Sequence, residues 1–151
     1  MNINAIPEFS YSVFSIIKSL LGKNKRGLLL DADNTLWGGV VGEDGADNLI
    51  LGKDTAIGYG FIEWQEYLKR LSDMGIVLSI ISKNNVYDLF KGLEHPENIL
   101  KKDDFEIISA DWSRKDINAV ATVRKLNLTP DHFIFIDDNS TERELVESVG
   151  I

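Results

Sequence analysis

The chain predicts a three-layer, Rossmann-like α/β domain: a central parallel sheet with helices on both faces. The first observation behind this is alternation, since short apolar runs near 27–32, 76–81, 105–110 and 132–137 are separated by helical patterns near 60–74, 85–94, 114–126 and 141–149. The second is how the runs end. Leu28–Leu30 leads into Asp31 and Asp33, Ile76–Ile81 into Ser82, and Phe133–Ile136 into Asp137 and Asp138. Open parallel sheets bind ligands at the carboxyl ends of their strands, so acids and a hydroxyl at strand ends suit one shared edge. Composition agrees with a single domain: 151 residues, 44% hydrophobic and 26% charged, can bury a real core.

Residues 1–26 read as an amphipathic helix and its lead-in. Phe9, Val13, Ile16, Ile17, Leu20 and Leu21 fall at helical spacing, with Lys18 among them and Glu8 before them. That excludes a signal peptide or membrane span for this segment. A single domain over 27–151 follows. Gly38, Gly39, Gly42, Gly45, Gly52 and Gly58 punctuate a short Val/Leu/Ile stretch, which predicts a β-hairpin with tight turns across 38–58. In the helix after it, Trp64, Leu68 and Leu71 trace one face. Ser113 with Asp116 is expected to cap the helix carrying Lys115. Asn139, Ser140 and Thr141 offer caps for the last helix.

The chemistry is concentrated at the strand ends. Asp31 and Asp33 share a strand's alternation, and burying carboxylates beside a core is costly without a cation or hydrogen bonds. With Asp137 and Asp138 they make four converging acids against one well-placed lysine, Lys115. Each close pair repels by about 4 kcal/mol at intermediate dielectric. A hard divalent ion such as magnesium relieves that and leaves room for phosphate oxygens. The chain has no cysteine, so thiol catalysis and disulfides are excluded and a reducing cytoplasm is the expected home. A formal net charge of −8 argues against nucleic acid as a partner. No membrane partner is expected either.

The ordered set D-x-D-x-T (Asp31, Asp33, Thr35), Ser82, Lys115 and Asp137-Asp138 resembles the haloacid dehalogenase (HAD) superfamily of phosphotransferases. More narrowly, D-A-D-N-T-L-W-G-G-V-V-G-E-D-G from Asp31, S-K-N-N from Ser82 and F-I-D-D-N-S-T-E-R-E-L-V from Phe135 resemble its subclass IIIC, the FkbH-like domains. The similarity spans roughly residues 27–149. It implies a magnesium-dependent phosphatase or phosphotransferase, acting on a phosphorylated metabolite or a carrier-linked substrate. Asp31 would be the nucleophile, forming an aspartyl-phosphate, and Asp33 the acid/base. Thr35 would orient Asp33 by hydrogen bonding. Ser82 and Lys115 would hold the phosphoryl group, with Lys83 and Asn84 close enough to assist. Magnesium would be held by Asp31, the carbonyl of Asp33, and Asp137 and Asp138, with Asp138 the expected direct ligand. The flap after the nucleophile is short and no insertion point has room for a large cap domain, so an open site is expected. Strand one should lie between strands two and four.

Some FkbH-like proteins load a glyceryl group onto an acyl carrier protein, using a cysteine just before the motif serine. Ile81 stands there in this chain. The alternatives to a phosphatase are therefore carrier loading by another route, or a non-catalytic domain that binds a phosphorylated ligand. Lys83, Lys91, Lys101, Lys102 and Arg114 would be the basic patch for an acidic carrier. Longer members carry a further strand and often a further domain, so this chain reads as a minimal member or a piece of one.

Other residues invite plainer readings. His95 and His132 are expected at the surface, Trp37 as an aromatic buttress beneath the flap, and Trp64 in the core. Trp112 suits either core or site rim. Glu142-Arg143-Glu144 reads as a solvated helix face, and Asn84 either caps the next helix or reaches the substrate.

Overall fold

The computed structural model describes residues 14, 15, 18, 21, 22 and 24–151. The expected N-terminal amphipathic helix falls mostly outside the described residues. Four strands, β1 (Gly27–Leu30), β2 (Val77–Ser82), β3 (Ile107–Ala110) and β4 (Phe133–Ile136), form one parallel sheet in the order β3-β2-β1-β4. β1 thus lies between β2 and β4, as expected. Its Leu28, Leu29 and Leu30 are buried on both faces, which is why this strand reads as an unbroken apolar run.

Alternation along the strands sorts the side chains into two cores. Leu28, Leu30, Leu78 and Ile80 face one way, against α2 (Ala56–Asp73) and α3 (Val86–Leu93) through Leu68, Leu89 and Leu93. Leu29, Ile81 and Phe133 face the other, against α4 (Lys115–Lys125) and α5 (Ser140–Glu147) through Ala119, Val123 and Val146. Burying each such side chain contributes about 1.5–3 kcal/mol, so the two cores clamp the sheet from both sides. Packing at the base of the sheet is close. A Cβ at Gly27 would lie 2.2 Å from the Phe133 ring, so only glycine lets β4's aromatic cross β1 there.

Two local expectations fail. The 38–58 segment is not a β-hairpin: one antiparallel bridge, Gly38 with Ile50, closes its base. Beyond it the chain coils into α1 (Val41–Asp44) and a 3₁₀ turn at Ala46–Asn48, and α2 already begins at Ala56. The cause is a pair of carboxylates that offer main-chain donors a better partner than a second strand. Asp44 accepts the Val40 N–H at 2.8 Å, and Asp33 accepts the Val41 N–H at 3.0 Å. The Ser113–Asp116 cap is also absent, because Asp116 instead receives a two-pronged bond from Arg114. The Ser113 N–H turns to Asp111. At the last helix, Asn139 does cap, accepting the Thr141 N–H at 2.9 Å. Among the described residues no helix is long and apolar enough to cross a membrane.

Candidate functional site

The floor of the site is built where β1 and β4 end side by side. The Asp31 N–H still donates to Ile136 O at 2.9 Å, so Asp31 leaves β1 locked beside the start of the Asp137-Asp138 turn. Lys115, on the first turn of α4, reaches between them and is itself only 4% exposed. Its Nζ lies 2.6 Å from Asp137 Oδ2 and 3.0 Å from Asp31 Oδ1. Asp137 Oδ1 accepts the Asn139 N–H at 2.8 Å, so both Asp137 oxygens are occupied. The Asp31 Oδ1 contact is an ion pair without hydrogen-bond geometry, and that buried oxygen receives no hydrogen bond. Burial raises the Asp31 carboxyl above the usual range; Lys115 opposes this and Asp137 adds to it. Burial would lower Lys115, but the carboxylates of Asp31 and Asp137 outweigh it and hold its ammonium above the usual range.

Asp31, Asp137 and exposed Asp138 each present a carboxylate oxygen within 4.8 Å of the others. Three hard oxygen donors, one buried without a hydrogen-bond donor, against a single lysine are the donor set of a divalent cation. The Asp33 carboxylate does not join them.

Asp33 instead points into the flap. Its Oδ1 accepts the Trp37 indole N–H at 2.9 Å and the Val41 N–H, and its Oδ2 accepts Asn84 Nδ2 at 2.7 Å. Thr35, expected to orient Asp33, does not: its Oγ1 is buried with no partner. Trp37 is fully buried, confirming the buttress, and a Cβ at Gly92 of α3 would lie 2.8 Å from its ring. Gln65 of α2 secures the far end of the loop. Its amide nitrogen donates to Leu36 O at 2.8 Å, and its carbonyl oxygen accepts the Ile99 and Leu100 N–H groups.

Ser82, 2% exposed, ends β2 beside Asp31's strand. Lys83 is held by Glu142 at 2.6 Å, a bridge between the loop after β2 and the first turn of α5. Glu142 is therefore buried rather than solvated, and its Oε2 has no partner. Arg143 also departs from the solvated reading, donating to Asp137 O at 2.7 Å and Asp138 O at 2.9 Å and so bracing the acidic turn. Trp112 is 71% exposed and lies at the rim. His95 and His132 are half-buried outside the site, and Trp64 is half-buried against the first core. In the expected basic patch Lys83, Lys91 and Arg114 are each paired with an acid.

Sequence reasoning thus missed Gln65, Glu142 and Arg143 as supports of the site, foresaw Trp37 as a buttress but not its hydrogen bond to Asp33, and left Asn84 open. Trp37 follows Asp33 by four residues and Glu142 follows the cap residue by three, so helical spacing was the available signal. The partners of Gln65 and Arg143 are main-chain groups, which leave no mark on a sequence.

No protein-family model matches the chain, and no curated protein sequence matches it. Among solved structures, it is similar to the N-terminal part of a Bacteroides fragilis protein containing a phosphatase domain complexed with Mg. The two are 39% identical with a TM-score of 0.90, over 99% of this chain and 40% of that one. The chain therefore spans well under half the length of that protein. Two structures from Xanthomonas campestris share the fold. A hypothetical protein is 20% identical with a TM-score of 0.57, over 85% of this chain and 63% of that one. A haloacid dehalogenase-like family hydrolase is 13% identical with a TM-score of 0.58, over 85% and 81%. The architecture of this chain is that of haloacid dehalogenase-like hydrolases.

Proposed function

We propose that the chain is a magnesium-dependent phosphatase or phosphotransferase of the FkbH-like kind, working through an aspartyl-phosphate on Asp31. The observation that carries this is the buried Asp31 Oδ1, free of hydrogen bonds yet 3.0 Å from Lys115, inside a three-carboxylate cluster. The Bacteroides phosphatase domain complexed with Mg supports it. Asp31 would attack phosphorus as the bond to the leaving oxygen breaks, and Asp33 would give that oxygen its proton. Asp33 would then take a proton from the water that attacks the phosphorylated Asp31, releasing phosphate and restoring the carboxylate. Ser82 and Lys115 would hold the phosphoryl oxygens as charge moves between them. Trp37, the Val41 N–H and Asn84 would orient Asp33, whose carboxylate they hold, in place of Thr35, whose hydroxyl makes no hydrogen bond.

Asp31, Asp138 and the carbonyl of Asp33 would hold magnesium, with Asp137 kept beside them by Lys115. The ion would supply Lewis-acid neutralisation of the phosphoryl oxygens. Retention of the phosphoryl half of the family's chemistry, rather than the carrier-loading half, is supported by Ile81. It is fully buried in the second core and has no nucleophilic atom. A phosphorylated small molecule is thus the favoured substrate.

The test is to incubate Asp33→Asn with a phosphate monoester and magnesium and to quench in acid. Peptide mass spectrometry should find one phosphoryl group on the peptide bearing Asp31. A wild type that releases no phosphate from any of a broad monoester panel, with or without magnesium, overturns the proposal.

A further inference from the structure

We infer that the ester taken at this site has a planar, apolar organic body, and that Trp112 is the platform on which that body stacks. The inference rests on the phosphate-site reading above and names its substrate class. Four apolar side chains are left in water at the carboxyl ends of β2 and β3. Val86 and Tyr87, on the first turn of α3, are 47% and 70% exposed. Trp112, between β3 and α4, is 71% exposed, and Ile117, on the first turn of α4, is 58% exposed. This is the edge on which Asp31, Ser82 and Lys115 meet, and the edge where such sheets bind ligands. Exposed apolar side chains on the ligand-binding edge of a parallel sheet are placed to meet the organic part of a ligand held there.

Trp112 is tied to the chemistry by short links. Its indole nitrogen lies 3.5 Å from Asn85 Oδ1, and the adjacent Asn84 holds Asp33. The preceding residue, Asp111, donates its N–H to Ser82 O at 3.2 Å. The loop is braced, because the Asp111 carboxylate accepts the Ser113 N–H at 2.8 Å and Asn118 Nδ2 at 2.9 Å. A braced loop loses little main-chain freedom when its indole stacks, so more of the contact energy reaches binding. The flanking cations, Arg114 and Lys83, are already paired with Asp116 and Glu142. What the rim offers an incoming body is therefore apolar area rather than charge. A compact polar ester would leave that area in water.

The experiment compares phenylphosphonate with methylphosphonate, which are not hydrolysed, by calorimetry in saturating magnesium. Wild type should bind phenylphosphonate at least about fivefold tighter, the scale of a single aromatic stack. In Trp112→Ala that ratio should fall towards one, and Trp112→Phe should restore most of it. A ratio near one in wild type, or one undiminished in Trp112→Ala, overturns the platform while leaving the phosphate site standing. Failure of both phosphonates to bind wild type removes the phosphate site and the platform together. Turnover is read separately, so a catalytically idle protein that keeps the phenyl preference upholds the platform and sinks only the phosphatase reading.

Discussion

Asp31 and Asp33 stand two residues apart, yet they sit in opposite surroundings. Asp31 lies on a dry floor of full charges, with Lys115 and Asp137 beside it and no hydrogen bond to its Oδ1. Asp33 lies under the flap among dipoles, its oxygens filled by an indole, a main-chain N–H and a side-chain amide. The Asp31 carboxylate faces a full cation, Lys115, at 3.0 Å, whereas the Asp33 carboxylate is aimed by three neutral donors. In the proposed mechanism these two environments would divide one D-x-D between two jobs, as they do where paired carboxylates take different roles.

The sharpest break in that comparison is on the floor. Asp31→Asn removes the proposed nucleophile, so turnover should fall by on the order of 10⁴-fold or more, with the circular dichroism spectrum unchanged. Near-normal turnover would move the nucleophile elsewhere.

Lys115 is the next largest. Lys115→Met leaves two buried carboxylates without their cation, which should cost about 3–5 kcal/mol in urea unfolding of the magnesium-free protein. Magnesium should recover part of that loss by binding the folded state. The same contact predicts a pH dependence. Because the folded protein holds the Lys115 proton more tightly than the ordinary value of 10.5, its contribution is fully present below that pH. The contribution is lost as pH rises above 10.5 through the folded-state value. Magnesium-free wild type should lose stability over that window more steeply than Lys115→Met.

The floor was legible in the sequence and the flap was not. Asp31, Ser82, Lys115, Asp137 and Asp138 each close a strand or open a helix, so periodicity and chain order placed all of them on one edge. The place of β1 between β2 and β4 came from right-handed crossovers and the family resemblance, and the three leucines add only that β1 is covered on both faces. The flap was misread because its glycines suggested turns, while its fold is set by side-chain carboxylates capturing main-chain donors. Periodicity does not report such captures. The same reason hid Gln65 and Arg143, whose partners are carbonyls and N–H groups.

The flap side can be tested apart from the floor by changing the leaving group. Asn84→Ala removes one of the three donors that aim Asp33, a charge-assisted bond worth about 1.5–3 kcal/mol. An alkyl ester needs its leaving oxygen protonated, so its kcat should fall by roughly tenfold. A p-nitrophenyl ester departs without that help and should change by less than about twofold. Equal losses on both esters would mean that Asn84 supports the fold of the site rather than the aim of its acid.

Thr35 carries the smallest expected effect and separates the resemblance from the geometry. The family pattern assigns it to orient Asp33, but here its hydroxyl is buried with no partner. An unpaired buried hydroxyl is a liability, and valine has nearly the same shape without it. Thr35→Val should therefore leave kcat for the alkyl ester within about threefold of wild type and raise stability by about 1 kcal/mol in urea. A loss of kcat comparable to that of Asn84→Ala, confined to the alkyl ester, would restore Thr35 as a partner of Asp33. The flap would then hold its acid differently during turnover than it does at rest.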